Sequence, residues 1–310
     1  MRVWWVFVVV ALAGCMSGGG PEASRLILAP ATTGPQANGL AYGTSGQALQ
    51  AAEGITISAL AAGFSDQSAP VINTQPITFD AGFFDTAPAA QGARVRLFGQ
   101  DVVIENGQGR LANGQIVRIF YDPTRAGTYA GVVQLASYAA LTNPAPSDPI
   151  NGEVHSVIGF MTDPQVMDAR ISGNVTYQGD FTATGIAMRD GVAVGDPTGT
   201  ELDGSATFTV EFGQDYIAGT ITGTYQADDQ AVDVGLEMVP TAFLDNNFGG
   251  ALTCGATPAC TGEGRVDGAF YGPQGQEIGA VVAVDVEQDV ADRTYEFSGV
   301  GSFVIGPKGP

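Results

Sequence analysis

From about residue 150 onward, apolar and polar positions alternate with a period of two. Residues 204–212 (GSATFTVEF) put Ala206, Phe208, Val210 and Phe212 on one side and Thr207, Thr209 and Glu211 on the other. Successive side chains of a strand point to opposite faces, so this pattern predicts a strand with one buried face. Residues 217–225 (IAGTITGTY) repeat it after the turn Gly213-Gln214-Asp215, a hairpin signal. Residues 174–183, 232–239, 264–271, 277–286 and 295–305 continue the pattern. About eight such strands with turns between them predict an antiparallel barrel or sandwich. Glycines inside the strands (Gly219, Gly223, Gly268, Gly299, Gly301) suit the bulges and tight coiling of a small closed barrel.

Residues 50–145 are β-rich but less regular. Residues 94–98, 101–105 and 116–121 read as strands, and Asn106-Gly107 and Asn113-Gly114 are strong turn dipeptides. The run NPAPSD at 143–148 reads as the connection to a C-terminal body at 146–310. No long segment has a period of 3.6. Residues 47–53 and 164–169 are the places for a turn or two of helix.

The amino terminus changes the picture. Met1 and Arg2 precede a short apolar run, 3–11 (VWWVFVVVA), too short for a stable bilayer span. Leu12-Ala13-Gly14-Cys15 follows and resembles a bacterial lipobox. The resemblance implies a signal peptide at 1–14, cleavage before Cys15 and acylation of that residue. Several acyl chains would anchor the protein firmly. Residues 15–49 are rich in Gly, Pro, Ala and Thr and read as a flexible tether. Met16 stands where Asp would favour inner-membrane retention in enterobacterial sorting, which points to the outer membrane.

Charge narrows the partners. Twelve Lys and Arg face 32 Asp and Glu, for a net charge of −20. Such a chain cannot neutralise a row of phosphates, which argues against nucleic acid, and it is repelled by anionic lipid. With 45% hydrophobic residues it can bury a substantial core.

Candidate chemistry is sparse. With Cys15 given to lipid, Cys254 and Cys260 remain, spaced CGATPAC. Outside the cytoplasm that pair reads first as a local disulfide. Free thiols are the second reading, and a metal site would need further soft ligands. His155 is the single histidine. It reads as a polar group on the first barrel strand or, less simply, as an axial haem ligand. Asp228-Asp229 reads as a solvated turn. Asp245-Asn246-Asn247 reads as a turn too, because it lacks the alternating oxygens of a calcium loop. No G-x-S-x-G, Walker A, G-x-G-x-x-G or H-E-x-x-H motif occurs, so no enzyme, metal or cofactor is expected.

Three ordered motifs carry a resemblance. Residues 266–273 (VDGAFYGP) with 277–280 (EIGA), residues 158–162 (IGFMT) through 171–179 (ISGNVTYQG), and residues 204–213 (GSATFTVEFG) resemble the C-terminal barrel of transferrin-binding protein B-like lipoproteins. Val175, Glu211 and Ala280 depart from the usual pattern. The resemblance implies an all-β fold: an eight-stranded antiparallel barrel beside an N-terminal, β-rich, handle-like region. Gly268, Phe270, Tyr271, Gly272, Pro273, Glu277 and Gly279 then read as a structural motif. Phe270 and Tyr271 pack on opposite faces, Gly272-Pro273 turns the chain and Glu277 begins the return strand. The implied function is a lipid-anchored outer-membrane or cell-surface protein that binds a protein or small-molecule ligand, with an iron or haem source as the family precedent. The alternative is a structural or adhesive envelope lipoprotein whose barrel is a scaffold.

Overall fold

The computed structural model describes residues 36–37, 40–41, 56–66, 68–79, 92–121, 126–170, 172–196, 198–255 and 260–308. The lipobox with Cys15, most of the tether and the candidate helix at 47–53 lie outside the described residues. Two strands of two residues, β1 (Gln36–Ala37) and β2 (Leu40–Ala41), pair with each other.

The fold is all-β, and its C-terminal part is a closed antiparallel barrel. Its strands are β11 (Asn174–Arg189), β13 (Thr200–Glu211), β14 (Tyr216–Ala227), β15 (Gln230–Ala242), β16 (Asn247–Cys254), β17 (Cys260–Tyr271), β18 (Glu277–Val290) and β19 (Arg293–Pro307). Each pairs with the next, and β19 pairs back onto β11, for example Ala183 with Gly301. A short strand, β12 (Val192–Val194), extends one end of β11. The alternation predicted in β13 is present: Ala206, Phe208 and Val210 are fully buried. These side chains join Phe181, Tyr225, Phe270, Phe297 and Phe303 inside the barrel. A short helix, Pro164–Asp168, closes one end. Asp163 caps it by accepting from the Gln165 N–H at 2.9 Å, Pro164 sits in its first turn, and Met167 enters the barrel core. Capping and an N-terminal proline suit even so short a helix.

The first eight-stranded sheet comprises β3 (Thr56–Ser65), β4 (Ser68–Phe79), β5 (Ala93–Leu97), β6 (Gln100–Ile104), β7 (Gln108–Arg110), β8 (Ile116–Tyr121), β9 (Ala130–Ser137) and β10 (Gly152–Gly159). Their order is β6-β5-β4-β3-β10-β9-β8-β7. The sheet curls until its two edges approach. Glu105 and Gln108 exchange backbone hydrogen bonds, and the inner face closes over Ile77, Val95, Leu97, Ile104, Val117 and Leu135.

Two sequence expectations need correction. Strand 152–159, with His155, does not open the barrel; it lies between β3 and β9 in the first sheet. The NPAPSD run therefore joins two neighbours of one sheet, and a division near residue 145 cuts that sheet. The physical reason is that every residue of β10 is buried. One face of β10 meets the inner core of its own sheet, through Val154 and Ile158. The other, through Val157, meets the outer wall of the barrel. A strand covered on both faces shows no alternation.

Candidate functional site

The outer wall of β17–β19 is where sheet and barrel meet. Leu60, Ala62, Phe64 and Val157 of the sheet pack on Ala269, Tyr271, Val281 and Val300 of the barrel. Polar ties reinforce this seam. The Glu277 carboxylate accepts the backbone N–H groups of Thr128, Tyr129 and Ala130, at 2.5, 2.9 and 3.1 Å. Gly127 is required beneath it, since a Cβ there would collide with the carboxylate. Burial raises the pKa of Glu277, against the lowering effect of these three bonds.

A second tie runs through His155. Its Nδ1 lies 3.1 Å from Ser302 Oγ on the barrel, and its Nε2 lies 3.2 Å from Glu153 Oε2. The Tyr138 hydroxyl donates to Glu153 at 3.2 Å. Burial and the Glu153 charge push the tyrosine pKa up. Serine, histidine and carboxylate in a row is the order of a nucleophile, its base and an orienting acid. Here His155 and Ser302 are fully buried in the seam, with no room for a substrate. Both ring nitrogens are engaged, so the imidazole presents no electron pair to a haem iron. Sequence reading missed this row because His155 and Ser302 are 147 positions apart.

The FYGP motif sits on the same seam. Phe270 points into the barrel, 5.3 Å ring to ring from Phe243 and 6.0 Å from Phe248. Tyr271 points out into the seam. Gly272 turns the chain at φ +89°, a backbone region that favours glycine. The chain leaving β10 is bound to this turn: Thr162 N–H donates to Phe270 O at 2.8 Å, Gly272 N–H donates to Phe160 O at 2.7 Å, and Thr162 Oγ1 donates to Gly272 O at 2.7 Å. The motif thus fixes where the linker enters the barrel. Gly279 packs under the Tyr271 ring and against Val157, and Gly268 lies against the Phe248 ring. Asp245 and Asn246 form a turn, and Asn246 is buried there and donates to Thr162 O at 2.6 Å, so it belongs to the same tie. Asp228 is exposed and pairs with Arg189 at 2.7 Å. Cys254 and Cys260 form a disulfide, S–S 2.03 Å, at the end of the barrel away from the short helix. Among the described residues no group of three or more His, Cys, Asp or Glu is placed to hold a metal.

Where the sheet leaves the barrel wall, a groove of about 610 Å³ opens. One side is the start of β4, with Ala69, Pro70 and Val71; the other is the barrel surface of β16–β18, with Ala251, Ala283 and Gly249. Val71 is 52% exposed. Glu263, Arg265 and Asp285 are its charged residues. Arg265 is tied to Asp267 by two bonds of 2.7 and 2.8 Å. Gly249 leaves the space that the Asp267 carboxylate occupies. Burial pushes Asp267 up to about 6, outweighing the pull of Arg265. A carboxyl whose folded pKa is raised binds its proton more tightly when folded, so stability falls as pH rises through the window. That window runs from the ordinary 3.8 to about 6, and Glu277 contributes with the same sign. Asp267→Asn is expected to flatten much of this decline. Thermal melts of both proteins between pH 4 and pH 6.5 check it, and parallel pH profiles would refute the assignment.

A closed barrel with a curled sheet bound to its wall, and a groove at the edge of the seam, make a two-part β scaffold. Residues 171–303, which hold most of the barrel, match the family described as C-lobe and N-lobe beta barrels of Tf-binding protein B. Among solved structures, the chain is similar to intact Ap-TbpB (15% identity, TM-score 0.42, 81% of this chain and 47% of that one). It is also similar to isotype 1 TbpB of Neisseria meningitidis (15%, 0.39, 82% and 44%). A third is the N-lobe of lactoferrin-binding protein B of Moraxella bovis (11%, 0.37, 62% and 79%). The chain spans about half the length of the two-lobed structures. No curated protein matches it.

Proposed function

We propose that the protein is a non-catalytic binding lipoprotein, anchored through Cys15 at the bacterial outer membrane or cell surface, that captures a protein ligand serving as an iron or haem source. The observation that carries the reading is the groove between a rigid barrel of this family and the sheet fixed to its wall. Recognition commonly sits where two parts of a scaffold meet. The match to a family named for transferrin binding, and the likeness to structures named for transferrin and lactoferrin binding, support a protein ligand. The lipobox and the tether at 15–49 support an anchored body held some distance from its membrane.

Two measurements test it. Mass spectrometry of the membrane-extracted protein is expected to show an acylated N-terminal cysteine, and Cys15→Ser is expected to release the protein into the soluble fraction. A soluble mature protein with a free Cys15 thiol would overturn the anchor. Purified wild-type protein is expected to retain transferrin, lactoferrin or a haem protein in a pull-down. Retention of none of them would favour the scaffold reading over the binding one.

A further inference from the structure

We propose that the groove beside β4 takes an extended, cationic segment of a partner protein, with Lys or Arg at alternate positions. This rests on the reading of the protein as a binder and goes further, to the chemistry recognised. The groove floor continues along the barrel into a second hollow of about 420 Å³, lined in part by Glu263, Asp285, Glu287 and Glu296. The strand register orders these four carboxylates. Glu263 on β17 stands directly opposite Asp285 on β18. Glu287 on β18 stands directly opposite Glu296 on β19.

Like charges directly opposite on a sheet are destabilising, and here two such pairs occur side by side. Asp285 and Glu287 are two residues apart on one strand, so both pairs lie on one face, about 6.7 Å apart along the strand. Along the strand that is the spacing of residues i and i+2 in an extended peptide, and the long side chains of Lys or Arg reach the pairs to either side of β18. A chain laid along β18 would set one cation between each pair of carboxylates and an apolar residue toward the opposite side. Arg265, the base in the groove lining, is held by Asp267 through two bonds, and the four carboxylates outnumber it. Among the described residues none of the four has a salt bridge. The apolar side, Ala69 to Val71 with Ala283, supplies contact area, and the paired carboxylates supply the sign of the partner.

The test uses the full mature chain and a labelled, end-blocked peptide with an Arg-Val-Arg core in a Gly/Ser flank, read by fluorescence anisotropy at low and physiological salt. Wild type is expected to bind, less tightly as salt rises. Glu263→Gln with Asp285→Asn, and Glu287→Gln with Glu296→Gln, are each expected to weaken binding at least tenfold. The matched control is Asp203→Asn with Asp233→Asn. It removes the same charge from another glycine-floored hollow, of about 410 Å³. Binding there is expected to change less than twofold. A peptide with adjacent arginines is expected to bind several-fold more weakly. Relief of repulsion should raise the melting temperature of both groove variants, which also shows that they fold. Absence of wild-type binding, or equal losses in groove and control variants, would overturn the proposal. If the groove variants still retain the wild-type partner in the pull-down, the groove assignment fails while the binding reading stands.

Discussion

Phe270→Ala is expected to lower the unfolding free energy by about 3–5 kcal/mol, the usual cost of emptying a buried phenylalanine site. Phe270 is fully buried, and its ring meets those of Tyr177, Phe212, Phe243 and Phe248. These neighbours come from β11, the turns at either end of the β14–β15 hairpin, and β16, so the cavity would loosen several strands at once. The walls of a closed barrel are hydrogen-bonded all round and cannot collapse far into such a space. A domain is stable by about 5–15 kcal/mol, so the melting temperature is expected to fall by about 10 °C or more. Phe270→Leu, which keeps most of the volume, is expected to lose far less. Circular dichroism melts decide the matter. An unchanged melt for Phe270→Ala together with lost ligand binding would make Phe270 a contact residue and not a core one.

The barrel was legible in the sequence because each strand has one wet and one dry face. Residues such as Thr207, Thr209 and Glu211 mark the outside as clearly as Phe208 and Val210 mark the inside. The sheet was harder to read because β10 is dry on both faces, and an unbroken buried run carries no period. His155 was placed on the wrong body for that reason. The seam was not legible at all. Its bonds join residues more than a hundred positions apart, as in Glu277 with Thr128 or His155 with Ser302, and nothing local marks either partner. The groove was hidden for a related cause. Glu263, Asp285, Glu287 and Glu296 are ordinary surface acids until the pairing of β17, β18 and β19 sets them opposite one another. The FYGP motif was read correctly as to the opposed faces of its two aromatics. What the sequence could not show is that its glycine and carbonyl groups bind the chain arriving from the sheet.

Glu277→Ala is expected to open that seam. The substitution removes the acceptor of three backbone N–H groups, of which that of Ala130 is buried. A buried donor without a partner costs about 1–3 kcal/mol, so the three together are expected to cost about 3 kcal/mol or more, with water recovering part of the loss at Thr128. Glu277→Gln is expected to fall between the two proteins. Its amide oxygen can serve Tyr129 and Ala130, but its NH₂ then faces the Thr128 N–H, donor against donor. The two defects differ in where they act. Phe270→Ala empties the barrel interior, whereas Glu277→Ala acts between barrel and sheet, so hydrogen exchange should rise first at 128–130 and along β9 and β10 while the barrel strands stay protected. Hydrogen exchange with mass spectrometry reads this directly. Uniform loss of protection across β11–β19 would show that Glu277 holds the barrel itself together and does not serve chiefly to fasten the sheet to it.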